Sequence, residues 1–137
     1  MQLVNYLFFD GNCEEAFRYY EKHLGGEIKA MLPHEGTPAE EHVPADWKKK
    51  IMHACLTVGD AMLMASDSPP AQAKSPQGFR VSIQIDDVEE GRRIFEALAD
   101  GGTIVMPYEE TFWAKGFGMV NDRFGTPWMV NCAPEAK

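Results

Sequence analysis

Apolar residues recur along this chain with two periods, and the same succession of periods occurs twice. Leu3–Phe9 is an apolar and aromatic run that reads as a strand. Asp10-Gly11-Asn12 ends it and offers Asn12 as a helix cap. Cys13–Leu24 then carries Ala16, Phe17, Tyr20 and Leu24 at helical spacing, until Gly25-Gly26 stops the helix. Glu27–Leu32 reads as a strand. Pro33–Lys50, with Pro33, Pro38 and Pro44, is a polar loop long enough for a lid or an entrance. Ile51–Val58 and Ala61–Ser66 form a hairpin around Gly59-Asp60.

Asp67–Gly78, which contains Pro69, Pro70 and Pro76, is a linker by composition. After it the order begins again. Phe79–Ile85 alternates as a strand, Asp86-Asp87 precede the helix Val88–Ala99, and Gly101-Gly102 end that helix. Thr103–Met106 is a strand and Pro107–Trp113 a loop. A closing hairpin of Lys115–Asn121 and Thr126–Cys132 turns at Asp122-Arg123-Phe124-Gly125, where Gly tolerates a positive φ. Residues repeat along with the elements: Glu14-Glu15, Arg18 and Glu21 return at the same spacing as Glu89-Glu90, Arg93 and Glu96. The pattern predicts two βαβββ modules, roughly 2–66 and 79–132, in a single α+β domain.

Charge and composition narrow the function classes. A chain of 137 residues with net charge −8 lacks the clustered Lys and Arg of a nucleic-acid or anionic-membrane surface, and Lys48-Lys49-Lys50 fits a solvated loop end. Cys13, Cys55 and Cys132 form no CxxC pair, which argues against a disulfide framework or structural zinc site. Free thiols and no signal sequence point to the cytoplasm. No apolar run approaches the ~20 residues needed to span a bilayer.

Two stretches carry a family resemblance. Tyr6-Leu7-Phe8-Phe9-Asp10-Gly11-Asn12-Cys13-Glu14-Glu15-Ala16 and Trp113-Ala114-Lys115-Gly116-Phe117-Gly118-Met119-Val120-Asn121-Asp122-Arg123-Phe124-Gly125, in this element order, resemble the vicinal-oxygen-chelate superfamily of glyoxalases, bleomycin-resistance proteins and extradiol dioxygenases. Within it the chain is similar to the PhnB-like branch. The resemblance implies a cupped, mostly antiparallel mixed sheet with helices on its convex side. It also implies, in metal-dependent members, a divalent ion held by His, Gln or Glu from the first and last strands of each module. Laid on this sequence, those positions fall at Asn5, Met64, Arg80 and Met129. An amide, two thioethers and a guanidinium make no site for zinc, nickel or iron, so no metal and no other cofactor is expected. Some PhnB-like proteins are labelled ubiquinone-pathway methyltransferases, but no methyl-donor fingerprint is present.

Strand alternation gives an independent estimate of what lines the cup. Arg80, Ser82 and Gln84 oppose the apolar set Phe79, Val81, Ile83 and Ile85; His53, Cys55 and Thr57 oppose Ala54, Leu56 and Val58. Asn5, Met64, Met129 and Asn131 join the polar face by the same count. Such a surface suits a small organic ligand with one anionic or carbonyl group. Each residue also has a plainer role. His53 fits a structural histidine, Arg80 an internal salt bridge, Cys55 and Cys132 small apolar fillers, the methionines packing, and His34, Glu35, Glu40, Glu41 and His42 a solvated loop. Gly116 and Gly118 lack the helix that a dinucleotide motif requires and fit close backbone approach.

The expectation is therefore a small-molecule-binding protein with no nucleic-acid or membrane partner, paired as a homodimer through its open sheet edges. Two alternatives remain open. One is a lyase, isomerase or dioxygenase using a displaced metal or His53 as acid–base; the other is a regulatory binding partner without turnover.

Overall fold

The computed structural model describes residues 1–68 and 76–134. Of the linker expected over Asp67–Gly78, residues 69–75 lie outside the described residues. The chain forms two compact units, Met1–Lys74 and Ser75–Lys137.

In the first unit β1 (Asn5–Phe9) is followed by α1 (Cys13–Leu24), β2 (Glu27–Pro33), β3 (Ile51–Val58) and β4 (Ala61–Asp67). β1 lies parallel to β4, and β3 runs antiparallel to both β4 and β2, giving the strand order β1-β4-β3-β2. The second unit repeats this with β5 (Val81–Ile85), α2 (Val88–Ala99), β6 (Thr103–Glu109), β7 (Gly116–Asn121) and β8 (Pro127–Cys132), in the order β5-β8-β7-β6. Each unit is thus a βαβββ module with a mixed, mostly antiparallel sheet, and the class is α+β as expected.

Each helix covers one face of its own sheet. From α1, Cys13, Ala16, Phe17 and Tyr20 are buried; from α2, Gly91, Ile94, Phe95 and Leu98. Removing a side chain the size of Phe17 from water contributes about 1.5–3 kcal/mol. The helix-side rows of β7 and α2 approach closely through Gly116 and Gly118. A Cβ on Gly118 would lie 2.7 Å from the Phe95 ring and 2.9 Å from the Tyr108 Cα, and one on Gly116 would strike the Tyr108 ring.

The two helices start differently. Asp87 caps α2, accepting from the backbone N–H of Glu89 at 2.9 Å and of Glu90 at 3.3 Å. Asn12 makes no side-chain cap bond to α1. Its place is taken from across the sheet: the buried Asp67 carboxylate accepts from Cys13 N at 2.9 Å and from Ile51 N at 2.8 Å. In unit 2 another buried carboxylate, Asp122, organises the closing turn. It accepts from Phe124 N and Thr126 N, each at 2.9 Å, and from the Trp128 indole at 2.8 Å.

Several expectations need correction. β1 starts at Asn5, because Leu3 is 94% exposed and has nothing to pack against. β5 starts at Val81, two residues later than the apolar alternation suggested. β6 continues through Pro107, expected to open a loop, as far as Glu109. It is an edge strand with register slips on either side of Met106, so the missing Pro107 N–H breaks no ladder bond. Pro33–Lys50 is pinned rather than loose. It contains short 3-10 turns at Pro38–His42 and Ala45–Trp47, and His34, expected at the surface, is buried. The His34 backbone N–H and ring Nδ1 both reach the Lys50 carbonyl, at 3.0 and 2.9 Å. Lys50 Nζ in turn donates to the Gly11 carbonyl at 2.9 Å.

Candidate functional site

Strand pairing decides which side chains share the face that each helix leaves open. In unit 1, Tyr6 pairs with Met64 and Met64 with Cys55, while Leu7 and Phe9 pair with the buried Ala65 and Asp67. His53, Cys55, Met64 and Tyr6 therefore lie on the open side. Asn5 does not: it pairs with Leu63, in the helix-side row, and Tyr6 holds the position given to it by residue counting. Tyr6 and its neighbour Phe8, which is 61% exposed, make this face aromatic. The Tyr6 hydroxyl lies 3.3 Å from His53 Nδ1, with the rings stacked at 5.9 Å.

In unit 2, Ser82 pairs with Met129 and Gln84 with Asn131, so all four expected residues share the open face. Their polar groups bond to one another, except that Asn131 Oδ1 is buried without a partner among the described residues. Asn131 Nδ2 donates to Gln84 Oε1 at 2.7 Å, and Gln84 Nε2 donates to Ser82 Oγ at 2.6 Å. Arg80 stands one step before β5 and is half-buried. Its Nη1 donates to Asn121 Oδ1 at 2.9 Å and to the Val120 and Trp128 carbonyls at 3.3 Å each. No carboxylate pairs with it among the described residues, so the anticipated internal salt bridge is replaced by neutral acceptors. These fix the side chain without cancelling its charge.

Arg80 lines an open depression of about 470 Å³, together with Phe79, Asn121, Pro127, Met129 and the segment Pro76–Gly78. Phe79 and Asn121 were not foreseen as site residues. Phe79 looked like part of the apolar face because the strand was extended to it. Asn121 is brought to Arg80 by the β7–β8 hairpin, over a separation that local pattern does not report.

Thiol chemistry finds no foothold at Cys13. Burial, reinforced by the nearby Asp67 and Glu14 carboxylates, pushes that thiol far up and keeps it protonated. Cys132 Sγ is buried and donates to the Asp86 carbonyl at 3.3 Å. A divalent ion does not fit the residues present. In unit 1 the position opposite Met64 is Tyr6 and in unit 2 the position opposite Met129 is Ser82, so each face offers only a thioether beside a phenol or a hydroxyl. Among the described residues no three His, Cys, Asp or Glu side chains gather as a metal site, and no helix is long and apolar enough to cross a membrane.

Paired βαβββ units of this kind define a protein class, and comparison with known families agrees. Residues 2–130 match the glyoxalase/bleomycin resistance protein/dioxygenase superfamily, and the chain belongs to it. It is 39% identical to Protein YjdN of Escherichia coli (strain K12), with 96% of this chain and 95% of that one covered. Among solved structures, protein PA1353 from Pseudomonas aeruginosa is 51% identical with a TM-score of 0.89, covering 98% of this chain and 99% of that one. The PhnB protein from Bacillus cereus, at 24% identity, has the same fold with a TM-score of 0.81, over 97% of this chain and 100% of that one. The fold is PhnB-like.

Proposed function

We propose that this chain binds a small organic molecule bearing an anionic or carbonyl group on the open sheet face of its second unit, without a divalent ion. Arg80 is the observation that carries this. A guanidinium never loses its charge near neutral pH, and its planar donors match a carboxylate or phosphonate in bidentate fashion. Here one nitrogen is anchored by three neutral acceptors, and Nε and Nη2 have no protein acceptor among the described residues. The fixed charge does for an oxygen anion what a metal does in other members of the superfamily.

Calorimetric titration with benzoate, phenylphosphonate and neutral benzamide tests the reading. The two anions should bind and benzamide should bind at least tenfold more weakly. Arg80→Met should remove that preference while the thermal midpoint stays nearly unchanged. Equal binding of benzamide, or anion binding that survives in the variant, overturns the assignment. One zinc, nickel, iron or manganese per chain in protein purified without a metal-binding tag overturns the metal-free part.

The Tyr6–His53 contact favours a second reading, in which His53 acts as acid–base in a lyase- or isomerase-type reaction on unit 1. A hydroxyl within reach of the ring nitrogen orients the imidazole, as such chemistry requires. Turnover of any bound carbonyl compound that is lost in His53→Gln but kept in Arg80→Met would favour it.

A further inference from the structure

The open face of unit 2 holds three methionines in one cross-strand row. Met106 pairs with Met119 and Met119 with Met129, on the adjacent strands β6, β7 and β8. None of the three is buried, although each belongs to a sheet whose other face already has a well-filled core. With strands 4.7–4.9 Å apart, the row runs about 10 Å across the sheet. Its inner end, Met129, lines the same depression as Arg80. Its outer end is different: Glu109 pairs with Phe117 on this face and places a carboxylate on the edge strand.

We propose that unit 2 selects an amphipathic anion, with its head at Arg80 and an extended apolar body lying along Met129, Met119 and Met106. This deepens the anion-binding function above and rests on it. Three features of this face give the ligand its shape. Methionine is unbranched and polarizable, so a thioether row adapts to an apolar body without imposing one contour. Charge fixes the direction, because the guanidinium stands at one end and Glu109 near the other, in a chain of net charge −8. The polar residues beside the row offer the ligand few partners, since Asn131 Nδ2, Gln84 and Ser82 are bonded to one another and the Asn131 Oδ1 left over is buried. A body rich in hydroxyls or amides would find thioethers where it needed partners.

The test is a homologous series of straight-chain carboxylates from butanoate to dodecanoate, with octanamide as the neutral control, titrated into the full chain below their micelle concentrations. Affinity should rise about fourfold per methylene, the factor equivalent to ~0.8 kcal/mol of burial, and level off near octanoate, where the row ends. Octanamide should bind at least tenfold more weakly than octanoate. Met119→Gln should flatten the chain-length dependence, Met119→Leu should keep it, and circular dichroism should show both variants folded. If affinity depends on Arg80 but not on chain length, the apolar body is refuted while the anion site stands. If chain length matters and octanamide equals octanoate, the anion site fails. If no carboxylate in the series binds, the proposal falls.

Discussion

Unit 1 turns Tyr6 and Phe8 outward from the positions where unit 2 turns Ser82 and Gln84. On the helix side the two units are near copies in plan. A twelve-residue helix lies over the sheet, the inward rows are mostly apolar, and a buried carboxylate, Asp67 at the end of β4 or Asp122 in the β7–β8 turn, holds backbone donors. Packing a helix on a sheet admits few solutions, so both halves meet it with similar residues. No such demand acts on the open side. There an aromatic pair with His53 faces out in one unit, and a guanidinium, an amide pair and a methionine row in the other. The lesson is that stability is written on the repeated side and specificity on the divergent one.

Substitutions that break this division should rank accordingly. The largest loss is expected for Asp122→Ala, which strands two backbone N–H groups and the Trp128 indole: roughly 3–5 kcal/mol in urea unfolding. Asp67→Ala, stranding the Cys13 and Ile51 donors, should lose roughly 2–4 kcal/mol by the same measurement. Gly118→Ala, on the helix side of β7, should lose roughly 1–3 kcal/mol from overpacking against Phe95 and Tyr108. Arg80→Met, on the open side, should change stability by less than about 1 kcal/mol while weakening anion binding at least tenfold. A stability loss matching that of Asp122→Ala would erase the distinction between the two faces.

The smallest effects sharpen the comparison of the helix starts. Asp87→Ala should lose about 1 kcal/mol with its two cap bonds. Asn12→Ala should stay within a few tenths, since that side chain makes no cap bond and its Oδ1 is buried without a partner. If Asn12→Ala proves the more damaging, the capping role given to Asp67 is wrong.

Periodicity located both helices to their end residues, because each carries a strong apolar stripe ended by Gly or by Asp and Gly. Local pattern misleads where neighbours far along the chain decide the outcome. The face of Asn5 depends on pairing with Leu63 rather than on the alternation of β1 alone. Pro107 stays in a strand because β6 is an edge, which local pattern does not state. His34 looked solvated beside Glu35 and Gly36, yet the Lys50 carbonyl draws it inward. For Arg80 the chemistry of the residue was legible, but its partners at residues 120, 121 and 128 were not.

The ties that fasten Pro33–Lys50 also set a time scale. An ordinary eighteen-residue connection exchanges its amide hydrogens within seconds and is cut early by proteases. Here the His34 N–H, the Glu35 N–H at 2.7 Å from the Lys48 carbonyl and the Lys50 N–H at 3.0 Å from the Trp47 carbonyl are all engaged. The Lys50 ammonium is bonded to the turn that precedes α1. Those amides should exchange only as the first unit opens, and a protease should find Lys48, Lys49 and Lys50 uncleavable until it does.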